Sequence, residues 1–220
     1  MRLRNIPEAK EIVDSSPYAT RLPLKGPLFE NDRPVRIEIG MGKGAFILGM
    51  AAAHPDVNFL GVERYESVLF RAVEKMNELA ETPEGAPANA RFLCEDASRL
   101  PEIFGPSSVD HIYLNFSDPW PKARHAKRRL TSPQFLGLYE KFLKPGGGLT
   151  FKTDNQDLFA YSLEVFEEMP NWRLTDIKRD LHRQLLPGEE NIMTEYEIKF
   201  SNLQSRICRL KAIYEPQETV

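Results

Sequence analysis

Short apolar runs rich in β-branched and aromatic residues alternate along this chain with longer stretches of helical composition. VRIEI at 35–39 predicts a strand, and 45–53 predicts the helix after it. NFLGV at 58–62, closed by Glu63, predicts a second strand, followed by an amphipathic helix over 68–79 and a loop over 82–90. A third strand at 90–94 ends in Glu95 and Asp96, with a helical turn at 99–104. VDHIYLNF at 109–116 is the fourth strand. Ser132 and Pro133 open a helix over 132–142, since proline suits a first helical turn. The sequence PGGG at 145–148 predicts a hard turn, 149–153 a fifth strand ending at Asp154, and 157–168 a further helix. This alternation predicts an α/β fold with a mostly parallel, doubly wound sheet. Beyond Trp172 the rhythm changes. A strand over 173–180 and a loop over 181–191 precede two strands, 196–201 and 207–214, joined by NLQSR as a C-terminal antiparallel hairpin. Residues 1–34, with five prolines at 7, 17, 23, 27 and 34, read as an N-terminal arm carrying a short helix over 7–15; 35–220 reads as a single domain.

Composition alters this picture little. With 220 residues, 41% hydrophobic and 28% charged, the chain is an ordinary globular protein long enough for a full core. A net charge of −3 excludes a globally basic polyanion binder, so any such site must be a local patch. Cys94 and Cys208 sit in apolar runs without metal-ligand spacing, which predicts buried free thiols in a reducing cytosol and no metal. No apolar run approaches the roughly 18 residues of a membrane span, and the first ten residues lack a signal-peptide core, so a cytoplasmic location is expected.

The candidate chemistry lies where strands end. Glu63, Asp96, Asp118 and Asp154 stand at successive strand ends, where packing alone gives no reason for carboxylates and where doubly wound sheets bind ligands. The turn GMGKG at 40–44 is neither a P-loop nor a dinucleotide fingerprint, but its glycines, Gly40 and Gly42 among them, allow backbone amides to approach a ligand. Glu38 lies inside an apolar strand, where a carboxylate needs a cationic partner such as an ammonium. Glu63 stands where an acid accepts both hydroxyls of a ribose, and Asp96 where a carboxylate reaches an adenine edge. An ammonium, a ribose and an adenine are the handles of S-adenosyl-L-methionine. From Asn115 to Leu130 the chain reads NFSDPWPKARHAKRRL, a stiff acidic turn running into a basic tract, which reads either as a catalytic loop feeding a polyanion track or as a surface loop before a solvated helix start; Trp120, between two prolines, is expected to buttress the loop.

The set EIGMGKG, GVE, EDA, NFSDPWPKARHAKRRL, FKTDN and TEYEIKF resembles, in order and spacing over roughly 35–215, the bacterial tRNA (guanine-N7-)-methyltransferase family (TrmB type). The resemblance implies a Rossmann-like S-adenosylmethionine-dependent methyltransferase fold, acting on N7 of guanine 46 in the tRNA variable loop. It implies cofactor contacts at Glu38, Gly40, Gly42, Glu63, Asp96 and Asp118, with Asp118 also the catalytic carboxylate. Lys122, Asp154, Thr194, Glu195, Tyr196 and Glu197 then meet the target guanosine, and Arg124, His125, Ala126, Lys127, Arg128 and Arg129 the tRNA. The partner is tRNA and the protein a monomer or homodimer. The rival readings are a methyltransferase for another RNA or a small molecule, a nicotinamide-dependent oxidoreductase, and a non-catalytic RNA-binding module. The glycine spacing opposes the second, and four strand-end carboxylates oppose the third.

Overall fold

The chain divides into two compact units, the first of them residues 1–103. The computed structural model describes residues 6–201 and 205–217. Helix α1 (Ala9–Ser15) and the short strand β1 (Ala19–Thr20) come from the expected arm; β2 (Val35–Ile39), α2 (Ala45–Ala53), β3 (Asn58–Glu63), α3 (Glu66–Ala80) and β4 (Ala90–Cys94) follow. These strands lie in the order β1-β4-β3-β2, all parallel. β3 is buried at every position, as its near-continuous apolar run requires of a parallel strand covered on both faces. The arm is built into this unit. α1 buries Ala9 and Val13 and packs on α3, while Arg21 bridges Asp14 at 2.6 Å and Glu66 at 3.0 Å.

The second unit, residues 104–220, holds β5 (Val109–Asn115), α4 (Pro133–Tyr139), β6 (Leu143–Thr153), α5 (Gln156–Glu168), β7 (Trp172–Lys178), α6 (Leu181–Gln184), α7 (Glu195–Ser201) and β8 (Cys208–Tyr214). Strand order is β5-β6-β8-β7, with β5 and β6 parallel and β8 antiparallel to both its neighbours. A mostly parallel sheet with a C-terminal antiparallel pair is therefore present.

Two expectations need correcting. PGGG does not end an element. Leu143 already pairs with Val109 and Gly148 with His111, so residues 144–147 form an irregularity inside β6. Gly147 has to be glycine there, because a Cβ would lie 2.7 Å from the Lys144 carbonyl oxygen. β8 pairs antiparallel with β6 and β7 and not with 196–201, because residues 195–201 form helix α7. Tyr196, Ile198 and Phe200 alternate with polar residues as a strand would. However, Thr194 caps the segment, its hydroxyl accepting the Glu197 N–H at 2.9 Å and its carbonyl the Ile198 N–H at 3.0 Å. Thr-x-x-Glu is the capping signature that the alternation masked. Most of the expected NLQSR connection lies outside the described residues.

Candidate active site

The glycine turn of the first unit is made by backbone geometry. Gly40, Gly42 and Gly44 have φ of 75°, 60° and 79°, in the left-handed region that residues with a Cβ rarely adopt. Gly44 also lets α2 approach α3, since a Cβ there would lie 2.8 Å from the Ala72 Cβ. The turn is tied to β3 through Gly40 N–H and Met41 N–H, both donating to the Val62 carbonyl at 2.8 and 3.1 Å. The Glu63 carboxylate accepts the amides of Gly42 at 3.3 Å and Tyr65 at 3.0 Å. Burial raises the Glu63 pKa above its usual range despite these amides and the nearby Arg64 guanidinium. Glu38 is buried in β2, paired in register with Gly61 of β3.

Asp96 caps the 3-10 turn after β4, accepting the backbone amide of Ser98 at 2.9 Å and its hydroxyl at 2.7 Å. Burial pushes its pKa up, but the Ser98 bonds and Arg64, 3.7 Å away, hold it below the usual range. Asp96 lines a cavity of about 590 Å³, together with Ala9, Arg21, Tyr65, Cys94 and Arg99. Both cysteines are buried free thiols, and burial pushes Cys94 up to about 11.

In the second unit the loop after β5 is strained, with Phe116 at φ 52° and Trp120 at φ 43°. Arg129 holds it in place, donating from Nε to the Pro119 carbonyl at 3.0 Å and from Nη2 to the Trp120 carbonyl at 3.2 Å while its guanidinium lies over Tyr161. Trp120 meets His125 edge-on at 5.7 Å and carries the Arg128 guanidinium over its ring at 5.0 Å, which fits its expected buttressing role. Asp118, Lys122, Arg124, Lys127 and Arg128 are exposed, and His125 and Ala126 half-buried, on or beside the 3-10 turn Ala123–Arg128. The basic tract thus divides. Arg129 faces its own loop, and the other cations face solvent.

At the end of β6, Asp154 Oδ2 accepts the Tyr196 hydroxyl at 3.1 Å. Burial and the Asp154 charge push the Tyr196 phenol up to about 12, so it is a hydrogen-bond donor throughout the physiological range. The Tyr196 ring packs on Phe116 at 4.8 Å and stacks on Phe200 at 4.1 Å, joining the loop after β5 to α7. Thr194 is half-buried and Glu195 exposed, whereas Glu197 has no exposed surface. Its carboxylate pairs with Lys152 at 3.0 Å and accepts from Asn191 at 2.9 Å.

Comparison with known proteins bears directly on this arrangement. A family model described as "Putative methyltransferase" matches residues 32–210. The tRNA (guanine-N(7)-)-methyltransferase of Lachnoclostridium phytofermentans is 49% identical over 222 residues, covering 99% of this chain and all of that protein. Proteins of the same name from Geobacillus thermodenitrificans and Listeria monocytogenes are 46% and 45% identical, covering 98–100% of this chain and at least 99% of each relative. The chain belongs to the bacterial tRNA (guanine-N7-)-methyltransferase family. Among solved structures, the 16S rRNA methyltransferase KamB matches with a TM-score of 0.59 at 17% identity, over 83% of this chain and 88% of that one. A 16S rRNA (adenine(1408)-N(1))-methyltransferase from Catenulisporales acidiphilia, solved with its cosubstrate SAM, matches at TM-score 0.57 and 16% identity, over 85% and 88%. At these identities the likeness shows the methyltransferase fold alone.

Within this tRNA (guanine-N7-)-methyltransferase chain, the first unit brings together Gly40, Gly42 and Glu63, and the second brings together Asp154 and Tyr196. Sequence reasoning missed Lys152 and Asn191, which surround Glu197, and the inward role of Arg129. The signal for Lys152 was present in FKTDN. A lysine inside an otherwise buried strand requires a counter-ion. Among the described residues no group of three or more His, Cys, Asp or Glu is placed to hold a metal ion, and no helix is long and apolar enough to cross a membrane.

Proposed function

We propose that this protein transfers a methyl group from S-adenosyl-L-methionine to N7 of a guanine in tRNA, position 46 of the variable loop, giving 7-methylguanosine. The observation that carries the reading is full-length kinship, at 45–49% identity, with proteins named for that activity. The donor set of the first unit fits the cofactor. Glu38 and Glu63 offer carboxylates to an ammonium and a diol, and the site of a Gly42 Cβ has no atom within 4 Å, which leaves backbone open to a ligand. Glu38, Gly40, Gly42, Glu63 and Asp96 would hold the cofactor. When bound, it supplies an electrophilic methyl on sulfonium sulfur.

The chain's own residues have a positioning and electrostatic task. Guanine N7 bears a lone pair and no proton, so its attack needs no general base, and positive charge grows on the purine. Asp118, exposed on its strained loop, serves as the catalytic carboxylate by orienting the base and countering that charge. Asp154 presents its carboxylate to guanine N1–H and the exocyclic amine, its orientation fixed by the Tyr196 hydroxyl. Lys122 and Thr194 border the same guanosine. Arg124, His125, Ala126, Lys127 and Arg128 follow the RNA backbone. Because a core guanine of folded tRNA is stacked, the base is extruded to be read.

The deciding experiment supplies cofactor with a labelled methyl and unmodified tRNA, then maps the modified base. Label on N7 of the variable-loop guanine is expected. Label elsewhere, or none, defeats the reading.

A further inference from the structure

We infer that Lys152 and Asn191 are positioning residues for the guanosine-binding turn, acting through a Glu197 that itself touches no substrate. The inference rests on the proposed reading of Asp154 and Tyr196 as parts of the guanosine site. An ammonium has three N–H donors, and a single turn of chain fills all three on Lys152. Nζ donates to Asn191 Oδ1 at 2.7 Å, to the Ile192 carbonyl at 3.1 Å and to Glu197 Oε2 at 3.0 Å. Asn191 closes the ring by donating to Glu197 Oε1 at 2.9 Å, with His182 Nε2 3.4 Å from the same oxygen. Residues 191–197 therefore wrap one buried cation. Lys152 is 4% exposed and Glu197 0%, so neither head group is available to a nucleotide.

The geometry carries this anchor to the chemistry within two residues. Lys152 is the second-last residue of β6, and Asp154 follows directly after the strand's last residue, Thr153. On α7, Tyr196 directly precedes Glu197. The end of β6 and the residue after it thus grip one helix twice, with Lys152 holding Glu197 and Asp154 receiving the Tyr196 hydroxyl. The neighbouring strand shows why the segment docks at all. Arg209 of β8 stands directly opposite Lys152 in register and is 2% exposed, so two buried cations face the same side. Asp176 meets Arg209 at 2.7 Å, and the segment after β7 brings Glu189 to Arg209 and Glu197 to Lys152. The segment is held to the sheet by charge, and Tyr196 comes to Asp154 as a result.

Steady-state kinetics on full-length enzyme with unmodified tRNA test this, after wild-type enzyme has been shown to methylate N7. Lys152→Met is expected to lower kcat/KM for tRNA by roughly 100-fold, the scale of a misplacement of about 1 Å, while calorimetric affinity for S-adenosylmethionine is unchanged. Removing both charges together, as Lys152→Met/Glu197→Met, is expected to recover at least about tenfold over the single variant, because an apolar pair replaces a stranded buried carboxylate. Should the double variant do no better than Lys152→Met, Glu197 acts on the guanosine itself and the inference is overturned. Asn191→Ala, at a half-buried position, tests the same ring without stranding a charge; KM for tRNA is expected to rise about three- to tenfold with kcat kept. An unchanged KM in that variant overturns the inference even if Lys152→Met does not fold.

Discussion

The two units hold the carboxylates of their candidate sites by different means. In the first, Glu63 is fixed by the amides of Gly42 and Tyr65, and Asp96 by Ser98 two residues away. In the second, Asp154 is fixed by Tyr196, 42 residues distant, and Glu197 by Lys152, 45 residues distant. Tyr65 and Ser98 lie two residues from the acids they hold, and Gly42, though 21 residues from Glu63, offers its backbone, so these acids depend on main-chain conformation and on no single partner side chain. An acid held by a distant side chain depends on the whole unit and on one particular partner. Ionisation depends on burial and on charged partners in both units, and the first unit itself holds one acid raised and one, Asp96, lowered. Burial raises Glu63 above its usual range, whereas Arg209, with the Leu186 amide, draws Glu189 down to about 2.

The largest effect that could break the comparison is at Asp118. Asp118→Asn is expected to reduce kcat by at least about 100-fold, the scale of losing one charge-stabilising group, with tRNA still bound in a filter assay. Near-normal turnover would end the role given to this loop. Next comes Gly44→Ala, which forces a Cβ into the left-handed region and onto Ala72. A loss of about 2–3 kcal/mol in urea unfolding is expected, and a neutral result would show the turn to be less rigid than its dihedrals.

The basic tract separates next. Arg129→Ala should lower kcat through the released loop and leave the salt slope of tRNA binding unchanged. Lys127→Ala and Arg128→Ala should each flatten that slope by about one counterion. Equal slopes for all three would place Arg129 on the phosphates after all.

The smallest effects are in pH dependence, and they have opposite signs. A raised Glu63 pKa gives stability present below the usual carboxylate range and lost as pH rises through the raised value. Glu63→Gln should therefore raise the urea midpoint at pH 7 and not at pH 4, while weakening cofactor affinity. A lowered Glu189 gives stability present above 4.5 and lost as pH falls towards about 2. Hydrogen exchange at pH 3 should accordingly open amides of 181–200 relative to pH 7. Unchanged protection there would mean the ion pairs do not hold the segment.

Legibility in the sequence follows the same line. Apart from the start of β6, hidden by PGGG, the strands and helices between 35 and 168 were readable within a few residues because burial and turn chemistry are local there; VRIEI and its glycine turn are an example. Tyr196 to Ser201 read as a strand because alternation outweighed the cap at Thr194. Glu197 stood among the guanosine contacts that the family resemblance implies, and only the fold shows Lys152 beneath it. Arg129 looked like its basic neighbours because nothing local reveals that a guanidinium ten residues on turns back to the Pro119 carbonyl.

The facing of Lys152 and Arg209 across β6 and β8 also bears on how such a protein can change over generations. Lys152 and Glu197 are both buried, so losing either alone leaves a buried charge without its counter-ion, whereas Arg209 and Glu189 each keep a second partner, Asp176 for the one and Lys178 for the other. Positions 152 and 197 should therefore be inherited or exchanged together, while 189 and 209 are free to vary separately. A graft moving 185–200 between relatives should succeed only where the recipient sheet already carries the cation at 152.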